Sequence, residues 1–215
     1  METELVSVSR IFGMNETSGA QIRVPKEPSV NTPVSNENYI FEKDLLTRLI
    51  LWYTQGSDEI GLHLYGQTGA GKSSLARELA SRVRTGLHEL HATPETEVAD
   101  LIGGYILQEG STIWVNGPLT AAAEAGEWLL IDELDVLNPG VGMVLKSVLD
   151  GGPISIPQTG QLLQTQPGFR LIATSNTDGS GDTSGRYRGT QQQNAAVMNC
   201  FSHFRVNYLE AENET

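Results

Sequence analysis

Apolar side chains fall into two rhythms along most of the chain. Ile60 to Tyr65, Leu87 to His91, Trp128-Leu129-Leu130-Ile131, Phe169 to Thr174 and Phe204 to Leu209 are short apolar-rich runs of strand length. Between them, apolar residues recur every three or four positions, which predicts amphipathic helices. Leu45, Leu46, Leu49, Ile50 and Tyr53 mark one over 40–53. Leu75, Leu79 and Val83 mark a second over 73–84, and Val141, Val144, Leu145, Val148 and Leu149 a third after Asn138-Pro139. Thr93-Pro94-Glu95 carries helix-start chemistry: a capping hydroxyl, a proline suited to the first turn and an acid at the positive end of the dipole. That helix is expected to end at Gly103-Gly104. Pro118 to Ala125 is alanine-rich and stopped by Gly126, and Asn194 into Phe201 also reads as helical.

Two stretches alternate about turn residues. Tyr105 to Val115 turns at Glu109-Gly110, and Ile154 to Leu163 turns at Gln158-Thr159-Gly160-Gln161, so each predicts a β-hairpin. Residues 177–193 are polar and glycine-rich, a long loop. Residues 1–38 have little periodicity and carry Pro25, Pro28 and Pro33; they predict an extended N-terminal arm with one strand near Leu5 to Val8, ahead of a core domain over 39–215. No internal repeat is present. Alternating strands and helices imply an α/β fold, a parallel sheet with helices on both faces, here with two hairpin insertions.

Composition narrows the classes of partner. The formal charge is −12, from 14 Lys and Arg against 26 Asp and Glu, which disfavours nucleic acid, since phosphate backbones are held by a basic excess. The single cysteine, Cys200, rules out an internal disulfide and fits a reducing compartment. Met1-Glu2-Thr3-Glu4 lacks the basic start and apolar run of a signal peptide, and no apolar stretch has membrane-spanning length. The expectation is a cytoplasmic protein of one domain, with no membrane partner.

Between the first core strand and the next helix lies Gly66-Gln67-Thr68-Gly69-Ala70-Gly71-Lys72-Ser73, which fits the phosphate-loop pattern G-x-x-x-x-G-K-[ST]. Strand, glycine loop and helix form the arrangement that phosphate chemistry requires. The glycines let successive N–H groups turn inward at a helix N-terminus. Lys72 then reaches the β- and γ-phosphates of ATP, and Ser73 offers its hydroxyl to Mg²⁺; Ser74 follows in the same turn. Asp132-Glu133 ends another apolar strand. Asp132 at that place suits Mg²⁺, and Glu133 suits a proton acceptor for the water that attacks the γ-phosphate, a function that phosphate-loop kinases do not need. Asn176, ending the strand Phe169 to Thr174-Ser175, suits a hydrogen bond to that water or to the γ-phosphate, and equally suits a turn.

Phosphate loop, Ile131-Asp132-Glu133 and Ala173-Thr174-Ser175-Asn176, in this order, resemble the AAA+ ATPases of the MoxR and dynein-related branch. Ile11-Phe12-Gly13-Met14, Val24-Pro25 and Asn38-Tyr39-Ile40-Phe41 resemble the opening of the CobS ATPase subunits of aerobic cobaltochelatase. Gly181 to Gln192 resembles their loop after the sensor strand, and Asn207-Tyr208-Leu209 the strand that follows. The resemblance implies a ring-forming ATPase, a hexameric homo-oligomer with ATP between neighbouring subunits, that drives a partner bearing a von Willebrand-type metal-binding domain. By it, Asn176 is the sensor-1 residue and Tyr39-Ile40 lie near the adenine.

Two departures accompany it. Such proteins continue into a small helical lid carrying a sensor-2 arginine, whereas this sequence stops at Thr215. Their arginine finger lies in a Met-Asp-Arg-aromatic run, whereas the run here is Met198-Asn199-Cys200-Phe201, with an uncharged Cys200 in the arginine's place. Arg186, Arg188 and Arg205 are the candidate replacements. These departures keep two further readings open: a nucleotide-binding assembly subunit with little hydrolysis, and a genuine cobaltochelatase subunit. Elsewhere His88 and His91 read as ordinary strand residues rather than metal ligands, Cys200 as a small core residue, and Trp114 and Trp128 as packing. The hairpin from Tyr105 to Val115 serves equally as a pore-facing element or a sheet-edge extension.

Overall fold

A computed structural model describes residues 2–14, 19–55, 60–178 and 193–208. In chain order the elements are β1 (Thr3–Ser7), α1 (Val8–Phe12), β2 (Gln21–Pro25), α2 (Lys43–Thr54), β3 (Gly61–Tyr65), α3 (Lys72–Arg82), β4 (Leu87–His91), α4 (Val98–Ile102) and β5 (Gly103–Gln108). There follow β6 (Ser111–Asn116), α5 (Pro118–Ala125), β7 (Trp128–Asp132), a short 3-10 turn (Leu134–Val136), α6 (Pro139–Leu149), β8 (Ile154–Ile156), β9 (Gln161–Leu163), β10 (Arg170–Ser175), α7 (Ala195–Met198) and β11 (Ser202–Arg205). The central sheet has five strands in the order β11-β3-β10-β7-β4, every neighbouring pair parallel.

Side-chain alternation divides the sheet into two cores. Trp128, Leu130, Leu62, Leu64 and Ile172 point into a layer built by α1, β2, α2 and α3 through Val8, Ile22, Leu46, Leu49, Leu75 and Leu79. Leu129, Ile131, Leu171 and Ala173 point into the opposite layer, packed by Leu101, Leu119, Leu145, Val148 and Val197. Every residue of the central strand β10 is buried, whereas the edge strands β4 and β11 alternate between covered and open positions. A parallel sheet covered on both faces explains why its inner strands read as continuous apolar runs.

The first 38 residues are more built than an extended arm. β1 and β2 pair antiparallel, and Val8, Phe12, Ile22 and Val24 are buried in the same core as α2 and α3. Three further differences are local. The turn at Thr93-Pro94-Glu95 precedes α4 rather than starting it; the helix is capped by the reciprocal Glu97–Asp100 pair, with Glu97 N–H donating to Asp100 Oδ2 at 2.8 Å. The buried face of α2 is Leu45, Leu46, Leu49 and Trp52, with Trp52 edge-on to Trp128. The last strand is Ser202–Arg205, earlier than the run from Phe204 suggested. Both predicted hairpins form, as β5–β6 and β8–β9.

Candidate functional site

Because all five strands run the same way, their C-terminal ends share one edge, and the segments that follow them converge there. Three of the chemically suggestive stretches leave from that edge: 66–73 after β3, Asp132-Glu133 from β7, and Asn176 after β10.

The loop after β3 departs through Gly66, at φ 153°, where an added Cβ would lie 2.1 Å from the Val206 carbonyl oxygen, so only glycine fits. Gly69 and Gly71 both have φ 82°, the left-handed region that glycine enters without strain. The loop then enters α3 directly at Lys72. Its ammonium donates to Gly66 O at 2.8 Å, Gln67 O at 3.0 Å and Asn176 Oδ1 at 3.2 Å. Burial lowers the Lys72 pKa, while the carboxylates of Asp135, Asp132 and Glu133 act to raise it. Lys72 therefore lies centrally, tied at once to the loop and to the end of β10.

The acids are fixed by a threonine that the sequence reading passed over. Asp132 Oδ1 accepts from Ser73 Oγ at 2.6 Å and from the Thr174 hydroxyl, and Thr174 Oγ1 in turn accepts the Glu133 N–H at 3.1 Å. Burial pushes the Asp132 carboxyl up, but the hydroxyls of Ser73 and Thr174, with His91 and Arg77 nearby, outweigh it and hold the pKa below the ordinary value. Glu133 takes φ 62°, a left-handed backbone uncommon for a non-glycine residue, which turns the chain sharply where the strand ends. Its side chain stays half-open, with His91 Nε2 3.7 Å from its carboxylate. Asp135 is buried and accepts the Asn176 N–H at 3.0 Å, and burial raises its pKa. The Asn176 amide oxygen also accepts from Thr68 Oγ1 at 3.1 Å.

These groups line a cleft of about 350 Å³ that includes Thr68, Lys72, Ser73, Ser74, Asp132, Glu133 and Asn176. A second cleft of about 670 Å³ shares Gly69 and Gly71 with it and is walled by Tyr39, Ile40, Leu75, Val206 and Tyr208. Its floor is mixed apolar and amide, a chemistry suited to a nucleoside. The Tyr208 hydroxyl donates to Thr68 O at 2.6 Å, joining the two clefts. Ser73 Oγ and Asp132 Oδ1 converge as a pair of hard oxygen donors, which fits Mg²⁺, an ion that keeps most of its waters.

Apart from Gly66 and Gln67, whose carbonyls hold Lys72 from behind, every residue singled out for phosphate, metal or water chemistry lies on one of two adjoining clefts. Thr174, Asp135 and Arg77 carry no role in the sequence reading, and His91 reads there as an ordinary strand residue. His91 pairs in register with Asp132 on the neighbouring strand, a juxtaposition that only the strand order reveals. Asp135 sits three residues past Asp132, where its acid reads as part of a turn.

Other candidates separate from this site. His88 Nε2 donates to Glu127 Oε2 at 2.7 Å at the opposite end of the sheet. Cys200 is half-buried rather than a core residue; its thiol faces Asp150 Oδ1 at 3.4 Å, and burial with that carboxylate raises its pKa. Arg205 lines the second cleft of its own chain, and the whole 181–192 motif, Arg186 and Arg188 included, lies outside the described residues. Trp128 is fully buried and Trp114 packs edge-on against Tyr105 in the β5–β6 hairpin. Among the described residues, no helix is long and apolar enough to cross a membrane.

Known proteins resemble this chain in sequence and in fold. The CobS subunit of aerobic cobaltochelatase from a Sinorhizobium species is 28% identical over 97% of this chain and 63% of its own length. An uncharacterized protein of Staphylococcus aureus strain USA300 is 32% identical over 69% of this chain and 56% of its own. The chain therefore spans less than two thirds of the curated relatives it matches. A crystal structure of a candidate ATPase from Cytophaga hutchinsonii superposes with a TM-score of 0.59, covering 80% of this chain and 48% of that one at 21% identity, a likeness of fold. The profile of the AAA domain, dynein-related subfamily, matches residues 61–187, more than half of the chain. Fold, site order and this match agree, and the chain belongs to the dynein-related subfamily of AAA domains.

Proposed function

We propose that the chain binds Mg²⁺–ATP at the C-terminal edge of its sheet and hydrolyses it, as one subunit of a homo-oligomeric ring that works on a partner protein. The observation that carries this reading is the convergence of Lys72, the Ser73–Asp132 pair, Glu133 and Asn176 on one cleft. The backbone N–H groups of the 66–73 loop hold the phosphates at the head of α3, and the Lys72 ammonium turns from loop carbonyls to the β- and γ-phosphate oxygens. Ser73 and Asp132 hold Mg²⁺, which supplies charge neutralisation on those oxygens. Glu133, open to solvent and aimed from a sharply turned strand end, accepts the proton of the attacking water. Asn176, anchored by Asp135 through its N–H, keeps its side chain between Lys72 and Thr68 for the γ-phosphate and water. Tyr39 and Ile40 take the adenosine end.

Following the resemblance of the chain's motifs to the CobS subunits, we extend this reading to a ring of several copies acting on a client with a metal-binding domain, in the cytoplasm. A second reading, a nucleotide-binding assembly subunit with little hydrolysis, is favoured by Cys200, whose thiol is turned to Asp150 and supplies no cation toward a neighbour. Calorimetry with Mg²⁺–ATP, followed by phosphate release and mass measurement across protein concentration, separates them. The first reading expects binding, and specific activity rising as larger assemblies form. Tight binding with flat, background release supports the second, and no binding heat overturns both.

A further inference from the structure

Behind the sensor strand lies a line of hydrogen-bonding groups that the proposed chemistry does not use. His63 in β3 is fully buried, an uncommon place for an imidazole in a parallel sheet. Its Nε2 is 2.6 Å from Ser175 Oγ, and its Nδ1 is 2.8 Å from Nδ1 of His203 in the edge strand β11. His203 Nε2 is 2.9 Å from the Met198 carbonyl oxygen, and the Ser175 hydroxyl also reaches the Thr177 carbonyl oxygen. Ser175 and Thr177 flank Asn176 on either side.

Counting protons decides what this line can do. It has four contacts: Met198 O to His203, His203 to His63, His63 to Ser175, and Ser175 to Thr177 O. Two neutral imidazoles and one hydroxyl bring only three protons. A carbonyl cannot donate, so neutral His203 spends its proton on Met198 O. His63 then donates from Nδ1, Ser175 donates to His63 Nε2, and Thr177 O is left without that donor. One added proton on His203 reverses the line. His203 donates at both nitrogens, His63 donates from Nε2 to Ser175, and Ser175 donates to Thr177 O, so all four contacts are made. Of the two imidazoles His203 is the exposed one, while burial, and His203 itself, push the His63 pKa down to about 3 and keep that ring neutral. Around the pair are Tyr65, stacked on His63, Asp178 and Lys72 near the strand ends, Arg205 two positions along β11, and Cys200 at the end of α7, its thiol turned to Asp150. Asp178 favours charge on His63 and Lys72 opposes it.

We propose that His63 and His203 are positioning residues for Asn176, acting through the Ser175 hydroxyl, whose choice of partner opens or closes the Ser175–Thr177 bracket around it. The proposal rests on Asn176 serving ATP hydrolysis, as argued above. It also ties the sensor residue to Met198 in α7, so a movement of that helix is read at Asn176 by the same line.

The test uses the full chain with ¹⁵N-labelled histidine and asparagine, titrated from pH 5.5 to 8 by NMR, with phosphate release measured in parallel. His63 is expected to stay neutral and to swap from the Nδ1–H to the Nε2–H tautomer as His203 gains its proton. The Asn176 side-chain amide signals shift with the same midpoint. At saturating Mg²⁺–ATP, kcat is at least threefold higher on the protonated side, with KM within twofold. His203→Gln removes the swap and the kcat limb; Ser175→Ala keeps the His203 titration but uncouples Asn176 from it. A His63 that holds one tautomer throughout, an Asn176 amide that ignores the titration, or an active enzyme with the same pH profile in His203→Gln overturns the proposal. A tautomer swap coupled to Asn176 in a chain that binds or hydrolyses no Mg²⁺–ATP upholds the relay and sinks the nucleotide reading instead.

Discussion

The two ends of β7 each carry a carboxylate cluster, and they are built to opposite purposes. Before the strand, Glu127 is closed off: Ser29 and Asn31 donate to it, His88 Nε2 lies 2.7 Å from it, and its side chain is 6% exposed. After the strand, Glu133 is 44% exposed and its nearest basic partner, His91, stands off at 3.7 Å. Asp132 beside it is held by two hydroxyls, with its second oxygen 3.7 Å from His91. A carboxylate whose two oxygens are both engaged by protein donors ties the fold together. One that is aimed by the fold yet left with free lone pairs is available to a ligand. In Glu127 the fold uses a buried acid to fasten the segment around Ser29 and Asn31 beneath the sheet. In Asp132 and Glu133 it keeps acids poised.

That contrast is open to attack by substitution. The largest effect is expected at Lys72, the cation serving the open end: Lys72→Ala lowers Mg²⁺–ATP affinity by about 100-fold or more while leaving the melting temperature near that of the parent, checked by calorimetry and thermal unfolding. Glu133→Gln keeps affinity within about threefold but reduces phosphate release by about 10²–10⁴-fold, the usual worth of a proton acceptor. Unchanged release in that variant means the open carboxylate is not the base. At the closed end, Glu127→Ala costs about 2–4 kcal/mol, because three polar partners lose a buried acceptor, and lowers the melting temperature by roughly 5–12 °C with nucleotide affinity untouched. Despite burial, which acts upward, the hydrogen bonds from Ser29, Asn31 and His88 hold the Glu127 pKa below its ordinary value of 4.5. Its contribution is therefore full above pH 4.5 and fades as pH falls through the depressed folded value, and the Ala variant loses that part of the acid limb in denaturant titrations at pH 2–6. The smallest effect is expected at the half-exposed Arg77–Glu89 pair, where Glu89→Ala shifts stability by less than about 1 kcal/mol and less still in high salt.

Much of the fold is legible where local signals and tertiary packing agree. β4 falls on Leu87–His91 and α5 on Pro118–Ala125, because strand length, alanine content, Pro118 and Gly126 all point the same way. That the 66–73 loop and the two strand ends meet at one cleft is legible because parallel strands bring their C-terminal ends to one edge. What escaped the sequence is made by distant partners. β2 looks irregular alone and becomes a strand only by pairing with β1, which overlaps the strand expected near Leu5 to Val8, and by burying Ile22 and Val24. Trp52 enters the core because it meets Trp128 edge-on in the layer between α2 and the sheet. At Thr93-Pro94 a plausible start signal lost to the reciprocal caps of Glu97 and Asp100, which fasten the helix four residues later. Thr174 escaped notice because a threonine ending a strand looks like β-propensity; only its place between Asp132 and Glu133 gives it a second meaning.

The tight approach of Val206 to Gly66 also ties two distant stretches of sequence into one unit. The opening glycine of the 66–73 loop is backed by the carbonyl that follows β11, and the Val206 N–H is bonded to Tyr65 O at 2.8 Å. Any side chain at position 66 would have to displace that segment, so the loop and the edge of the sheet cannot vary independently.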